Sequence, residues 1–227
     1  MPEITYTLRL LFLVCALGLL ALDDWRKHRE NARRWRDYLF LSAAAATGAI
    51  YFLVVDLLAS MLSWEYYAYA KGFSESESYY AQLCELSVKT GVPTGFAIGA
   101  LYLFANTFKP KDPSLPRMQL YRYLLYPMLC AIVISPAIAA IAVTFDPLGI
   151  GKQLSAMMPK APERLSRLLV VWGINAGLYA GAGLGIILAV AKIQSARKAL
   201  STATSAAIPT SVTPPASRLP QDVSERS

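Results

Sequence analysis

Asp56 is the only acidic residue inside one of the long apolar segments of the sequence. A carboxylate at membrane depth marks a proton or cation pathway by default, because its burial in hydrocarbon costs free energy. Trp64, eight residues later, is expected at the membrane interface, so Asp56 would lie roughly 12 Å inside that interface. Two interpretations stay open: the coupling carboxylate of a carrier, or an acid that neighbouring polar groups satisfy.

Two asparagines are the other strong hydrogen-bonding side chains within apolar segments, Asn106 and Asn175. Asn175 is expected at a depth similar to that of Asp56, and Asn106 near the opposite membrane face. Amides at such positions hold helices together at about 0.6–2 kcal/mol per interhelical hydrogen bond. A binding site would be favoured if Asp56 and Asn175 faced each other.

Five tyrosines cluster in segment 64–90, which is predicted to be an external loop of net charge −2. They are Tyr66, Tyr67, Tyr69, Tyr79 and Tyr80. Tyrosines beside membrane segments commonly form an interfacial belt, and they are also enriched in protein contacts. The cluster is therefore either a belt or a partner-binding surface.

Segment 25–36 is basic and carries apolar residues at heptad-like spacing, which predicts an amphipathic helix in the lipid headgroup layer. The expected headgroup contacts are Trp25, Arg29, Arg33, Trp35 and Arg36. His28 is the single histidine of the chain, so no metal site built on several histidines can form.

The sequence lacks the short motifs of the common enzyme classes. It has no phosphate-binding loop, no G-x-S-x-G and no HExxH, and a glycine-rich GAGLG falls inside an apolar segment. We therefore expect no bound metal, no cofactor and no catalytic activity. The net charge of +7 reflects membrane topology rather than nucleic-acid binding.

Composition and apolar segments predict an all-α, polytopic membrane protein. Hydrophobic residues make up 55% of the 227 residues and charged residues only 16%, too few to coat a soluble globule. Five spans of about 20 residues or more are predicted, within a bundle over 1–198, at 4–22, 39–63, 90–108, 123–145 and 168–191. The first contains Arg9 and has a core as short as that of a signal peptide, but the arginine-rich segment after it favours an uncleaved span. Residues 199–227 are predicted to be a disordered cytoplasmic tail.

The distribution of basic residues predicts the orientation. Segments 23–37, 109–122 and the tail from Lys192 hold 15 lysines and arginines, against seven on the other side. The positive-inside rule then gives an outside N-terminus and a cytoplasmic C-terminus in a bacterial-type inner membrane.

Glycines recur at every fourth position in the third and fifth predicted spans. They are Gly91, Gly95 and Gly99, and Gly173, Gly177, Gly181 and Gly185. Such stripes let helix backbones approach closely in lipid. Each stripe is expected to pack against a neighbouring helix, the other stripe included, or to form a seam between copies of the chain.

These features predict a non-catalytic integral membrane protein, most simply an accessory or assembly subunit of a transport, secretion or immunity/exclusion complex. Its expected partners are the lipid bilayer and either another membrane protein or a second copy of itself. The alternatives are a small oligomeric channel or carrier with Asp56 in its pathway, and a membrane-embedded lipid-modifying enzyme.

Overall fold

The computed structural model describes residues 2–29, 34–74, 78–108, 113–157 and 162–206. These residues are helical almost throughout and contain no strand, which confirms the all-α prediction. The helices are α1 (Pro2–His28), α2 (Arg34–Leu62), α3 (Tyr79–Thr107), α4 (Arg117–Tyr121), α5 (Leu125–Phe145), α6 (Ile150–Met157) and α7 (Pro162–Ala206). A π-helical turn, Tyr66–Ala70, lies between α2 and α3, and a 3-10 turn, Arg122–Leu124, joins α4 to α5.

Four helical segments within the described ranges are long and apolar enough to cross a membrane. They are Arg34–Leu62, Tyr79–Thr107, Arg117–Phe145 and Arg164–Thr204. They indicate a membrane protein built as a helical bundle. The remaining predicted span, 4–22, falls within α1, a helix of 27 residues, and its crossing stays a prediction.

Two helix boundaries differ from the predicted spans. α3 begins at Tyr79, eleven residues before the predicted start, because Leu83 and Ser87 of its polar first part are fully buried against the bundle. Glu85 and Lys89 add an ion pair of 2.7 Å along one face of this part. Most of the predicted loop 64–90 is therefore helical. α7 continues to Ala206, so residues 199–206 extend a helix rather than begin a tail. Residues 207–227 lie outside the described residues.

Segment 25–36 does not form the single amphipathic helix that was predicted. α1 ends at His28, Arg29 has a positive φ of 40°, and α2 begins at Arg34. The Asp24 carboxylate accepts a hydrogen bond of 3.0 Å from the backbone N–H of Trp35, which satisfies one free amide in the first turn of α2. The Asp24 carboxylate of α1 thus binds the first turn of a second helix, where the periodicity alone suggested continuity.

The bundle consists of two closely packed helix pairs, α2 with α3 and α5 with α7. The α3 glycines lie against α2: a β-carbon added at Gly91 would lie 2.6 Å from the Cα of Ala49. The α7 glycines lie against α5: a β-carbon added at Gly181 would lie 2.5 Å from the Cα of Ala131. The two stripes thus face different helices and not each other. All seven glycines are buried.

Two buried clusters mark the ends of the bundle. At the Trp64 end, where α2 ends and α3 and α7 begin, Tyr67, Leu83 and Leu168 share an apolar cluster. At the Leu115 end, where α3 ends and α4 begins, Tyr102 and Leu115 belong to a second cluster, with Ile193 from the late part of α7. α7 therefore connects both ends.

Candidate functional site at the Trp64 end

Asp56 lies buried near the Trp64 end of α2, with 5% of its surface exposed. Its carboxylate accepts a hydrogen bond of 3.0 Å from the Tyr67 hydroxyl and one of 2.9 Å from the Ser87 hydroxyl. The Tyr67 hydroxyl also lies 3.1 Å from the backbone carbonyl oxygen of Asp56. Both carboxylate oxygens thus have a partner within the chain, and these contacts connect α2, the π-helical turn and α3.

The local sequence explains how these three side chains meet. Tyr67 follows the end of α2, and the π-helical turn directs the chain back over the helix end, so its ring is fully buried beside Tyr66 and Phe73. Ser87 lies four residues before Gly91 and thus in register with the small residues of α3 that face α2. A serine at that position combines close helix approach with a hydrogen-bond donor.

Glu65 is a second buried carboxylate at this end, 6% exposed. It accepts a hydrogen bond of 2.9 Å from the Ser63 hydroxyl and pairs with the Arg164 guanidinium at 3.2 Å. Arg164 belongs to the first turn of α7, so the ion pair ties that helix to the end of α2. The Arg164 side chain is 52% exposed, so the ion pair lies at the edge of the bundle, and each Glu65 oxygen has a partner within the chain.

The five predicted contact tyrosines fall into two groups. Tyr66 and Tyr67 are buried and form the core of the site, while Tyr79 is partly buried and packs against it. Tyr69 and Tyr80 are 52% and 68% exposed. Only these last two are placed to meet a partner or the membrane interface.

Burial changes the acidity of the two buried phenols in the π-helical turn, which lies outside the spanning segments. It raises the pKa of Tyr66 from its ordinary value of 10.0 to about 12, and Tyr179 and Asp56 add smaller effects in the same direction. Burial, followed by the charge of Asp56 and the hydrogen bond to it, also raises the pKa of Tyr67.

These raised pKa values predict a loss of stability at alkaline pH. The folded state binds the phenolic protons more tightly than the unfolded state, so the stabilisation is complete below the unfolded pKa near 10 and declines as pH rises towards 12. Unfolding in detergent, followed by circular dichroism across this interval, should show the decline, and Tyr66→Phe should make it shallower. A stability that stays constant up to pH 12 would contradict this assignment.

The two asparagines are used locally and not at Asp56. Asn106 is fully buried at the Leu115 end, where its side chain donates to the Leu115 carbonyl (3.1 Å) and accepts from the Leu115 N–H (2.8 Å). The Asn175 amide donates at 3.0 Å to the carbonyl of Val171 in its own helix. The sequence favoured a binding site if Asp56 and Asn175 faced each other, but the contact found for the Asn175 amide is with Val171 of its own helix, and the carboxylate of Asp56 is bound by Tyr67 and Ser87.

Removal of these amides should therefore have unequal effects. Asn106→Ala leaves a buried N–H and a buried C=O of Leu115 without their amide partner and should lower the unfolding free energy by about 2 kcal/mol. Asn175→Ala removes a bond to a carbonyl that lies within a continuous helix and should cost less than about 1 kcal/mol. Thermal unfolding of both variants in detergent compares them directly. Equal losses of unfolding free energy in Asn106→Ala and Asn175→Ala would contradict the conclusion that only Asn106 satisfies buried backbone groups.

The predicted headgroup contacts are distributed over two helix ends. Trp25 is exposed at the end of α1, and Arg29 follows in its left-handed conformation. Trp35 lies in the first turn of α2, with the Arg36 guanidinium 5.6 Å from its ring centre. Arg33 lies outside the described residues. Within the described ranges, no three acidic, histidine or cysteine side chains group as a metal site requires.

Comparison with protein-family models, with curated proteins and with solved structures finds no match to this chain. Sequence reasoning identified Asp56 but missed Ser87 and the ion pair of Glu65 with Arg164. The position of Ser87 in the small-residue register of α3 was the available signal.

Proposed function

We propose that this chain is a non-catalytic integral membrane protein that serves as an accessory or assembly subunit of a larger membrane complex. We place it in an inner membrane with α1 as a fifth span, an outside N-terminus and a cytoplasmic C-terminus, on the distribution of its lysines and arginines. The Trp64 end then faces outwards.

The observation that carries this proposal is the use of polar side chains inside the bundle. Asp56 is engaged by Tyr67 and Ser87, Asn106 by Leu115, and Asn175 by its own helix. A carrier or an enzyme needs polar groups that are directed at a substrate or an ion pathway. Here the Asp56 carboxylate and the two asparagine amides bind the chain itself, while the buried hydroxyls of Tyr51 and Tyr102 have no partner among the described residues. The engaged acid and amides support a structural role for those three side chains and a function at the surface.

The exposed aromatic residues at the Trp64 end are the surface that we assign to the partner. Tyr69 and Tyr80 are exposed there, together with Trp64. Tyrosine and tryptophan provide large contact areas at little cost in side-chain entropy, and they are enriched among the residues that dominate protein interfaces. The partner is accordingly another membrane protein with a complementary surface at the same membrane face.

Extraction in mild detergent through a C-terminal tag tests the proposal. The particle should contain a different protein at a fixed molar ratio, and the combined Tyr69→Ala and Tyr80→Ala substitutions should reduce its recovery by about tenfold or more. Met118→Ala is the control, because Met118 is also a large exposed side chain, at 80%, but lies at the Leu115 end. A clean homo-oligomer, unaffected by the tyrosine substitutions, would overturn the proposal in favour of a channel or carrier.

A further inference from the structure

The two helix pairs leave an apolar recess of about 70 Å³ where they meet. α2 and α3 contribute Tyr51, Phe52 and Ile98 to its walls, while the other pair contributes Met128 and Leu178. The recess arises because the glycine stripes bring the helices together within each pair, whereas bulky side chains separate one pair from the other.

The position of the recess corresponds to the hydrocarbon layer. Tyr51 lies near the middle of α2, between its ends at Arg34 and Leu62. Tyr179 forms part of the wall and is also 57% exposed, so the recess reaches the outer surface of the bundle beside it. The rings of Phe52 and Tyr179 are 6.5 Å apart and bridge the two pairs at this opening. A chain from the surrounding lipid can therefore enter without separation of a glycine-packed pair.

The chemistry of the walls selects the occupant. The surface of the recess is almost entirely apolar although Thr47, Tyr51 and Thr94 contribute to its walls, and no lining side chain is charged. Cavities of this kind exclude water and take up apolar molecules, and this one has room for about two groups of the size of water or methylene, at ~30 Å³ each. We propose that the recess is a binding site for a hydrocarbon segment of a membrane lipid, which enters beside Tyr179 and lies between the two helix pairs.

Photolabelling in vesicles tests this site. The protein is reconstituted in phosphatidylcholine that contains a small fraction of phosphatidylcholine with a diazirine in the middle of one acyl chain, and the labelled residues are mapped by mass spectrometry. Tyr51 and Met128 should be labelled more strongly than Ile187 and Val133, although the latter two are 66% and 74% exposed. Labelling that simply follows exposure would overturn the proposal.

A matched pair of substitutions on α7 gives the second arm of the test. Ala182→Leu fills the recess and should lower the ratio of recess to surface labelling roughly fivefold, since the added side chain takes most of the space. Ala180→Leu makes the same change on an exposed position of the same helix and should leave the ratio unchanged. Equal ratios in the two variants would contradict the site. Should Ala182→Leu fail to fold, the ratio in the unmodified protein still decides.

Discussion

Tyr67→Ala should lower the free energy of unfolding by about 3–5 kcal/mol, the usual range for removal of a large buried aromatic side chain. Tyr67 is completely buried, its ring contacts those of Tyr66, Phe73 and Tyr79, and its hydroxyl donates to Asp56. The substitution would thus leave a cavity and remove the connection between the π-helical turn and α2. Thermal unfolding in detergent, followed by circular dichroism, measures the loss.

Two control variants separate the ring from its hydroxyl. Tyr67→Phe keeps the packing and removes only the hydrogen bond to the buried Asp56 carboxyl group, so it should cost about 1.5–3 kcal/mol. Tyr69→Ala removes a tyrosine of the same turn that is half exposed and should change stability by less than about 0.5 kcal/mol. If Tyr67→Ala proved as mild as Tyr69→Ala, the turn would not be part of the folded core.

Gly181→Ala should lower stability by about 3 kcal/mol relative to Gly183→Ala on the same helix. A β-carbon at Gly181 would meet backbone atoms of Cys130 and Ala131, which cannot move aside without displacement of α5. At Gly183 nothing lies within 4 Å of the added carbon. Both substitutions gain the same intrinsic helix propensity, so their difference reports the packing alone.

The unfolding temperatures of the two glycine variants and of the unmodified protein are measured in the same detergent. The expected order is Gly183→Ala at or above the unmodified protein and Gly181→Ala well below it. An equal effect at both positions would show that α5 and α7 do not pack as closely as the structure describes. The α2–α3 pair offers the same test at Gly91, where a β-carbon would lie 2.6 Å from backbone atoms of Gly48 and Ala49.

Hydropathy predicted the apolar part of the bundle well, because four uncharged or nearly uncharged segments correspond to the four long apolar helices. It located helix ends poorly where helices continue into polar sequence. The start of α3 carries Glu85 and Lys89, and the late part of α7 carries Arg197, which is buried and donates to the Ala105 carbonyl at 3.0 Å. Tertiary contacts of single residues stabilise such ends, and an average over apolar residues does not detect them.

The sequence predicted the central residue of the candidate site, Asp56, but not the residues that bind its carboxylate. The single acid of the apolar segments was evident, but its partners lie 11 and 31 positions away in the chain and meet it through the fold. The tyrosine cluster was interpreted as one surface, whereas the turn after α2 buries Tyr66 and Tyr67 and leaves Tyr69 exposed. Spacing alone does not show which way such a turn directs its side chains.

Asp56→Asn distinguishes a structural acid from a coupling acid. The substituted amide can still accept from Tyr67, and it can donate to the Ser87 oxygen, while the Ser87 hydroxyl donates at 2.9 Å to the Leu83 carbonyl. Because only the second amide N–H has no partner named here, we expect a loss of stability of no more than about 1–3 kcal/mol relative to the unmodified protein. A protein that transfers protons or cations through this carboxylate would lose that activity completely.

The central claim is that the chain binds a partner through its exposed tyrosines, while Asp56 only maintains the fold. Its most direct test compares Asp56→Asn with the combined Tyr69→Ala and Tyr80→Ala variant. The measurement is the amount of partner protein recovered with each variant in the same mild-detergent extraction. A subunit whose intramembrane polar residues maintain its fold should keep its partner in Asp56→Asn and lose it in the tyrosine variant. The reverse result, with the partner lost in Asp56→Asn and kept in the tyrosine variant, would contradict the claim and place function at the buried carboxylate.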